Sequence, residues 1–150
     1  MKLTLTLRSA IRLPTLRIVN ATRGSILATH ADIARDPETR RWGLLGMTAD
    51  QFPPGAGLFF PECNAIHTLE MSMTIDVLFF DMLKMRVIKT VQEVDPGCHV
   101  AAFIPAPLCA VLELPAGVIR ASGTQPGDVV RIMSSGHEPV LASSYSRLQQ

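Results

Sequence analysis

The chain has 150 residues, 47% hydrophobic and 18% charged, with 14 basic against 13 acidic side chains and a net charge of +1. That length suits one hydrophobic core and is short for two, and a mean hydropathy of +0.25 excludes wholesale disorder. Near-neutral charge offers no concentrated basic surface for phosphate contacts, so nucleic acid is not expected as a partner.

Residues 1–14 end at Pro14 and read as an N-terminal leader, ahead of a single β domain over 15–133 and a loosely ordered, Ser-rich tail over 134–150. Arg8, Arg12 and Arg17 cut the apolar stretch of the N-terminal segment below the roughly 7–15 residues a secretory signal needs. An Arg-rich, acid-free opening also resembles an organelle presequence, a minor alternative to the cytoplasmic location expected by default. No apolar run reaches the roughly 20 residues that cross a bilayer, because Asp76, Asp81 and Lys84 interrupt the longest ones.

Leu16–Ala21 and Ser25–Ala34 flank Thr22-Arg23-Gly24, where glycine can take positive φ, and a hairpin is predicted. Asp36-Pro37-Glu38 starts a helix: Asp36 accepts from free amides and Pro37 takes the first helical position, where its missing N–H is harmless. The helix is expected to run through Trp42–Leu45 and stop near Gly46. Prolines and glycines make Gln51–Gly57 a loop before a short strand, Leu58–Phe60.

From Ile66 to Asp76 the sequence alternates. His67, Leu69, Met71, Met73 and Ile75 share one parity; Thr68, Glu70, Ser72, Thr74 and Asp76 share the other. This pattern predicts one long half-buried strand over Ile66–Phe79. Asp81–Met85 then reverses the chain into Arg86–Val91 through a loose loop without the glycine of a tight turn. Asp95-Pro96-Gly97 is a turn, and the prolines up to Pro107 keep that segment irregular or at an edge. Ala110–Leu114 is a strand, Pro115-Ala116-Gly117 opens a turn or short helix that Gly123 ends, and Gln125–Asp128 fits a type II turn before a last strand, Val129–Met133. The expected fold is mainly β, a compact β-sandwich or barrel-like single domain with one or two short helices.

Cys63, Cys98 and Cys109 form an odd set without a CxxC pair, which reads as buried thiols rather than a disulfide framework. Cys63, His67 and Met71 offer thiolate, imidazole and thioether to a soft metal, but four residues of straight strand span about 13 Å, so chain bends would be needed to bring them together. Cys98-His99 adds two more possible ligands, but adjacent strand residues face opposite ways and a chance dipeptide is the simpler account. His67 on the apolar parity is either a hydrogen-bonded core residue or the polar handle of a pocket. Asp76 precedes the apolar run Val77–Phe80, and Glu113 stands inside Val111-Leu112-Glu113-Leu114. Such carboxylates need a solvent path, a backbone amide or a basic partner. Structural bracing of turns is the simplest role; lining one cleft with His67, they would instead serve as general acid and base. No elbow serine and no phosphate loop accompany them, and no motif names a cofactor.

Arg40-x-x-Gly43-Leu44-Leu45-Gly46, Pro54-Gly55-x-Gly57-Leu58, His67-Thr68-x-x-Met71-x-x-x-Ile75-Asp76-Val77-x-Phe79, Val111-Leu112-Glu113-Leu114-Pro115-Ala116-Gly117 and Pro126-Gly127-Asp128 occur in this order. The chain resembles, from about Leu16 to Met133, the bacterial and archaeal "domain of unknown function 192" family. The resemblance implies a compact mainly β sandwich or barrel with a small helical part. It also implies a structural or binding site drawn from His67, Met71, Asp76, Glu113, Gly117, Gly127 and Asp128. Similar members often have a basic residue directly after the methionine, a proline before the Ile-Asp pair and a glycine in the next hairpin. Here Ser72, Thr74 and Asp81–Met85 depart from that pattern, and Glu70 replaces a commonly small or aromatic residue.

Three function classes stay open. The first is a non-catalytic ligand-binding or accessory domain with a site around His67, Met71, Asp76 and Glu113, and Asp128 as a further binding candidate. The second is an enzyme using His67 and carboxylates for acid-base or metal-assisted hydrolysis. The third is a protein-interaction module using a β edge or the apolar residues of 51–61.

Overall fold

The structure is a computed structural model that describes residues 15–134; the expected leader and the tail beyond Ser134 lie outside the described residues. Among the described residues nine strands form two sheets. The larger has, from edge to edge, β6 (Arg86–Val94), β5 (Ile75–Asp81), β8 (Cys109–Pro115), β3 (Ala56–Phe60), β2 (Ser25–Ile33), β1 (Leu16–Asn20) and β9 (Val130–Ser134), and the smaller pairs β4 (Ala65–His67) with β7 (His99–Ala101). The hairpin of β1 (Leu16–Asn20) and β2 (Ser25–Ile33) forms as expected, with Gly24 at φ 67°. β2 runs parallel to β3 (Ala56–Phe60). A parallel pair needs a crossover, and this one contains α1 (Pro37–Trp42). Asp36 caps α1 by accepting from Thr39 N at 2.7 Å. The helix ends at Gly43, φ 50°, shorter than expected because that residue already leaves the helical region.

β5 (Ile75–Asp81) and β8 (Cys109–Pro115) lie in the middle of the sheet and pair antiparallel over their whole length. Their two faces feed two cores. Leu78, Phe80, Leu112 and Leu114 join Leu16, Ile18, Leu27 and Phe59 on one face; Ile75, Val77, Phe79 and Val111 join Leu58, Phe60, Met71 and Met73 on the other. The sheet curls around the first face: at the start of β6 (Arg86–Val94) Arg86 bridges Val129, and Val87 N donates to Asp128 O at 2.9 Å, next to β9 (Val130–Ser134). One curled sheet, half-closed as a barrel, therefore realises the expected mainly β fold. Inside the curl, α2 (Val118–Ser122) contributes Ile119 to the inner core. Outside it, α1 and the ribbon of β4 (Ala65–His67) and β7 (His99–Ala101) flank the outer core.

The single long strand expected over Ile66–Phe79 does not exist. β4 stops at His67, and Thr68–Thr74 turns before β5 begins. Two local bonds break the strand. Met71 N closes a turn onto Thr68 O at 3.2 Å with Glu70 at φ 60°; the Thr68 hydroxyl, fully buried, donates to Asp95 O at 2.6 Å and accepts from Cys98 N at 2.9 Å. The period of two is imitated by a loop that lays Met71 and Met73 on the outer core. Exposure at the expected parity also reverses at the key position: His67 is exposed and Thr68 buried.

The β5–β6 reversal solves its missing glycine differently. Met85 itself takes φ 51°, and Asp81 Oδ1 accepts from Leu83 N and Lys84 N at 3.0 and 3.2 Å. β3 starts two residues earlier than expected. Gly57 is enclosed there, since a Cβ would lie 3.2 Å from Ala31 Cβ and 3.3 Å from a Leu112 methyl. The apolar residues of 51–61 proposed above as an interaction surface are mostly interior: Phe52, Leu58, Phe59 and Phe60 are all buried.

Candidate functional site

A pocket of about 230 Å³ opens on the outer face of the sheet. One wall is α1 and the segment after it, Arg40 to Leu45; Phe60 and Cys63 follow β3; β4 and the turn supply Ala65, Ile66, His67, Leu69 and Met71. Alternation along β8 sets Glu113 in the same lining. Its neighbours Leu112 and Leu114 belong to the inner core, so Glu113 projects outward, opposite Leu58 of β3 and Val77 of β5.

Glu113 is 3% exposed, and its Oε2 has no hydrogen-bond partner among the described residues. Burial alone pushes its carboxyl up from 4.5 to about 8, the direction desolvation imposes on an acid without a counter-charge. At neutral pH it is a carboxylic acid with a proton to donate. Arg40 shares the pocket but does not neutralise it. Its guanidinium donates to Ala34 O at 3.2 Å, Pro61 O at 2.6 Å and Glu62 O at 3.2 Å, pinning α1 to the end of β3.

Asp76 sits on the opposite face. It is fully buried, and its oxygens accept from Glu93 N at 2.9 Å, Gly117 N at 3.1 Å and Ile119 N at 2.9 Å. One carboxylate thus holds a bulge in β6, where Glu93 takes φ 53°, and the first turn of α2. Asp128 is more remote from the pocket. It accepts from Asn20 Nδ2 at 2.9 Å, Gln125 N at 2.9 Å and Arg23 Nε at 3.0 Å, tying the turn after α2 to the β1–β2 hairpin. Burial opposes its ionisation, but hydrogen bonds from Arg23, Asn20 and Gln125 and the Arg23 charge outweigh it and hold its carboxyl below the usual range. Gly117 and Gly127, at φ 96° and 94°, shape the same α2 region.

Of the five candidate site residues, His67, Met71 and Glu113 share the pocket, while Asp76 and Asp128 brace turns elsewhere. Asp76 and Glu113 occupy opposite faces and do not form a pair of carboxylates around one ligand. The turn after His67 brings Cys63, His67 and Met71 to one lining after all, yet no cluster of three or more His, Cys, Asp or Glu able to hold a metal occurs among the described residues. His67 faces His99 across the ribbon with ring centroids 6.0 Å apart. Sequence reasoning gave no role to Arg41, Trp42 or the clamp residue Thr68. The Arg40-x-x-Gly43-Leu44-Leu45 motif was the available signal for that wall.

A half-closed curl of β-sheet with a pocket on its convex face, floored by a neutral buried acid, defines a small β domain with a built cavity. The chain belongs to the domain of unknown function 192 (DUF192) family, described as an uncharacterised ACR, whose model matches residues 18–132. No curated protein matches it. Two solved structures share the fold. A Sinorhizobium meliloti 1021 protein, described as a "putative transcription regulator", is 22% identical with a TM-score of 0.66, over 79% of this chain and 92% of its own. A protein of unknown function from Novosphingobium aromaticivorans DSM 12444 is 21% identical with a TM-score of 0.64, over 77% and 82%. No helix among the described residues is long and apolar enough to cross a membrane.

Proposed function

We propose that this chain is a non-catalytic binding domain that holds a small organic molecule in the pocket over Glu113. The observation that carries the reading is the unpartnered, buried Glu113 Oε2 in a cavity lining. Such an atom costs about 1–3 kcal/mol if nothing answers it, and a ligand polar group supplies the answer while apolar walls take its body. Two features favour binding over catalysis: the buried carboxyls of Asp76 and Glu113 face apart, and no hydrogen bond joins His67 to Glu113. The net charge of +1 favours a small ligand over nucleic acid, and the cytoplasm is the proposed location.

Native mass spectrometry of freshly purified protein, with metal analysis of the same sample, tests the reading together with the pocket-filling variant Met71→Trp. The expected result is a small-molecule adduct on the wild-type chain that Met71→Trp loses while its circular dichroism is unchanged. An adduct that persists in a folded Met71→Trp, or a wild-type chain that takes up nothing from a fragment library, sinks it.

A further inference from the structure

The geometry points to an uncharged ligand head that accepts a hydrogen bond, such as a carbonyl or amide oxygen, seated on Glu113 in preference to a cationic head. This rests on the reading of the pocket as a ligand site and names the chemistry it selects. A buried carboxyl lined by aromatic rings ordinarily suggests an ammonium guest, held by charge from one side and by ring faces from the other. Here both supports are already committed.

Phe60 and Trp42 are the aromatic residues of the lining, and each has a guanidinium over its ring: Arg40 at 5.9 Å from the Phe60 centroid and Arg41 at 5.5 Å from that of Trp42. A ligand cation would meet two like charges already seated on those rings and in the same lining. Glu113 in turn lacks a counter-charge, because Arg40 is turned toward the carbonyls of Ala34, Pro61 and Glu62. Between Leu58 and Val77 an ionised carboxylate is strongly disfavoured, so the group is a neutral acid. A neutral acid gives one O–H, and its complement is an acceptor. Leu44, Leu69 and Met71 supply an apolar wall for the rest of the ligand.

A matched set of probes sharing a phenyl ring, toluene, benzamide, benzoate and benzylamine, separates the cases. A benzene ring fits a cavity of about 150 Å³, so the ring suits the pocket and only the head varies. Binding is followed by amide shifts of Gly43, Cys63 and Leu114 in 15N-labelled full-length protein. Benzamide is expected to bind about tenfold more tightly than the other three, the scale of one buried hydrogen bond to an unpaired group. Its affinity should fall as pH rises beyond about 8, where Glu113 loses its proton. Glu113→Gln keeps a donor and should hold benzamide within about threefold while abolishing that fall; Glu113→Leu should lose about tenfold. If benzylamine, benzoate or toluene binds as tightly as benzamide, the head preference is wrong and the pocket remains a ligand site. If no probe moves those amides, both readings fall.

Discussion

Asp76 and Glu113 are buried carboxyls on neighbouring central strands, one register step apart, and the sheet gives them opposite lives. Asp76 points into the curl, where α2 and the β6 bulge aim three backbone N–H groups at it. Glu113 points outward into a pocket and has an oxygen that nothing answers. Both cost desolvation, and the difference lies in what surrounds them. On the inner face the fold supplies donors because a helix start and a bulge each leave amides without partners. On the outer face the covering pieces are a short helix and a two-stranded ribbon, which leave space between them. One carboxyl is a structural fastener, and the other is available to a ligand.

Removing the fastener should have the largest effect. Asp76→Ala leaves three amides without their acceptor, two of them at the start of α2, and should lower stability by about 3–5 kcal/mol. Urea unfolding at neutral pH measures it; a loss under about 1 kcal/mol would show that water replaces the carboxylate freely and erase the contrast with Glu113.

Glu113 should show the opposite behaviour. Its carboxyl holds a proton up to about 8 in the folded chain against 4.5 ordinarily, so between those values the unfolded chain releases a proton that the folded chain keeps. The unfolded state is thereby favoured as pH rises. Stability should be greatest below the lower value, decline through the window by on the order of 3 kcal/mol by neutral pH, and level off above the upper one. Glu113→Gln has no proton to lose and should be flatter across the window, which thermal unfolding at several pH values reads directly. Parallel curves for wild type and variant would mean that Glu113 ionises freely and is no orphan.

These two residues also mark what the sequence can convey. Both stand out in the sequence as acids inside apolar runs, which signals a carboxyl in need of a partner or a solvent path without saying which. What lies on each face was not legible, because α2 and the ribbon reach those faces through contacts far apart in the chain. The glycine and proline turns around Gly24, Gly97, Gly123 and Gly127 were readable because positive φ is a local demand. The break after His67 was not. It depends on Thr68 bonding Asp95 O and Cys98 N about 30 residues away, and Glu70 takes φ 60° without the glycine that would have announced a turn. That unannounced turn brings Met71 into the lining that His67 and Glu113 share.

Asp128 offers an intermediate case: a buried acid with one cation and two polar partners. Asp128→Asn should cost about 1–2 kcal/mol at neutral pH, less than Asp76→Ala, because Arg23 and Gln125 are exposed and water can replace the acceptor they lose. Its carboxyl is held below the usual range, so the folded chain gives up the proton more readily than the unfolded one. That stabilisation is present above the ordinary carboxylate value and is lost as pH falls through the lower folded value. The gap between wild type and Asp128→Asn should therefore close on acidification, the reverse of the trend at Glu113. A gap independent of pH would assign the effect to lost packing instead.

The smallest effect tests the turn that builds the pocket wall. Glu70 is exposed at φ 60°, and no hydrogen bond or ion pair among the described residues holds its side chain. A non-glycine residue in that region costs roughly 1–2 kcal/mol, whereas glycine raises the entropy of the unfolded chain by about 0.4–1 kcal/mol. The two terms leave Glu70→Gly more stable by about 0.5–1 kcal/mol, with the turn and its Met71 N to Thr68 O bond unchanged. Because Leu69 and Met71 flank this residue and line the pocket, probe affinity should stay within about twofold of wild type while stability rises. If stability falls, the left-handed turn is maintained by something other than the Thr68 clamp, and the outer wall is less fixed than the inner fastener opposite it.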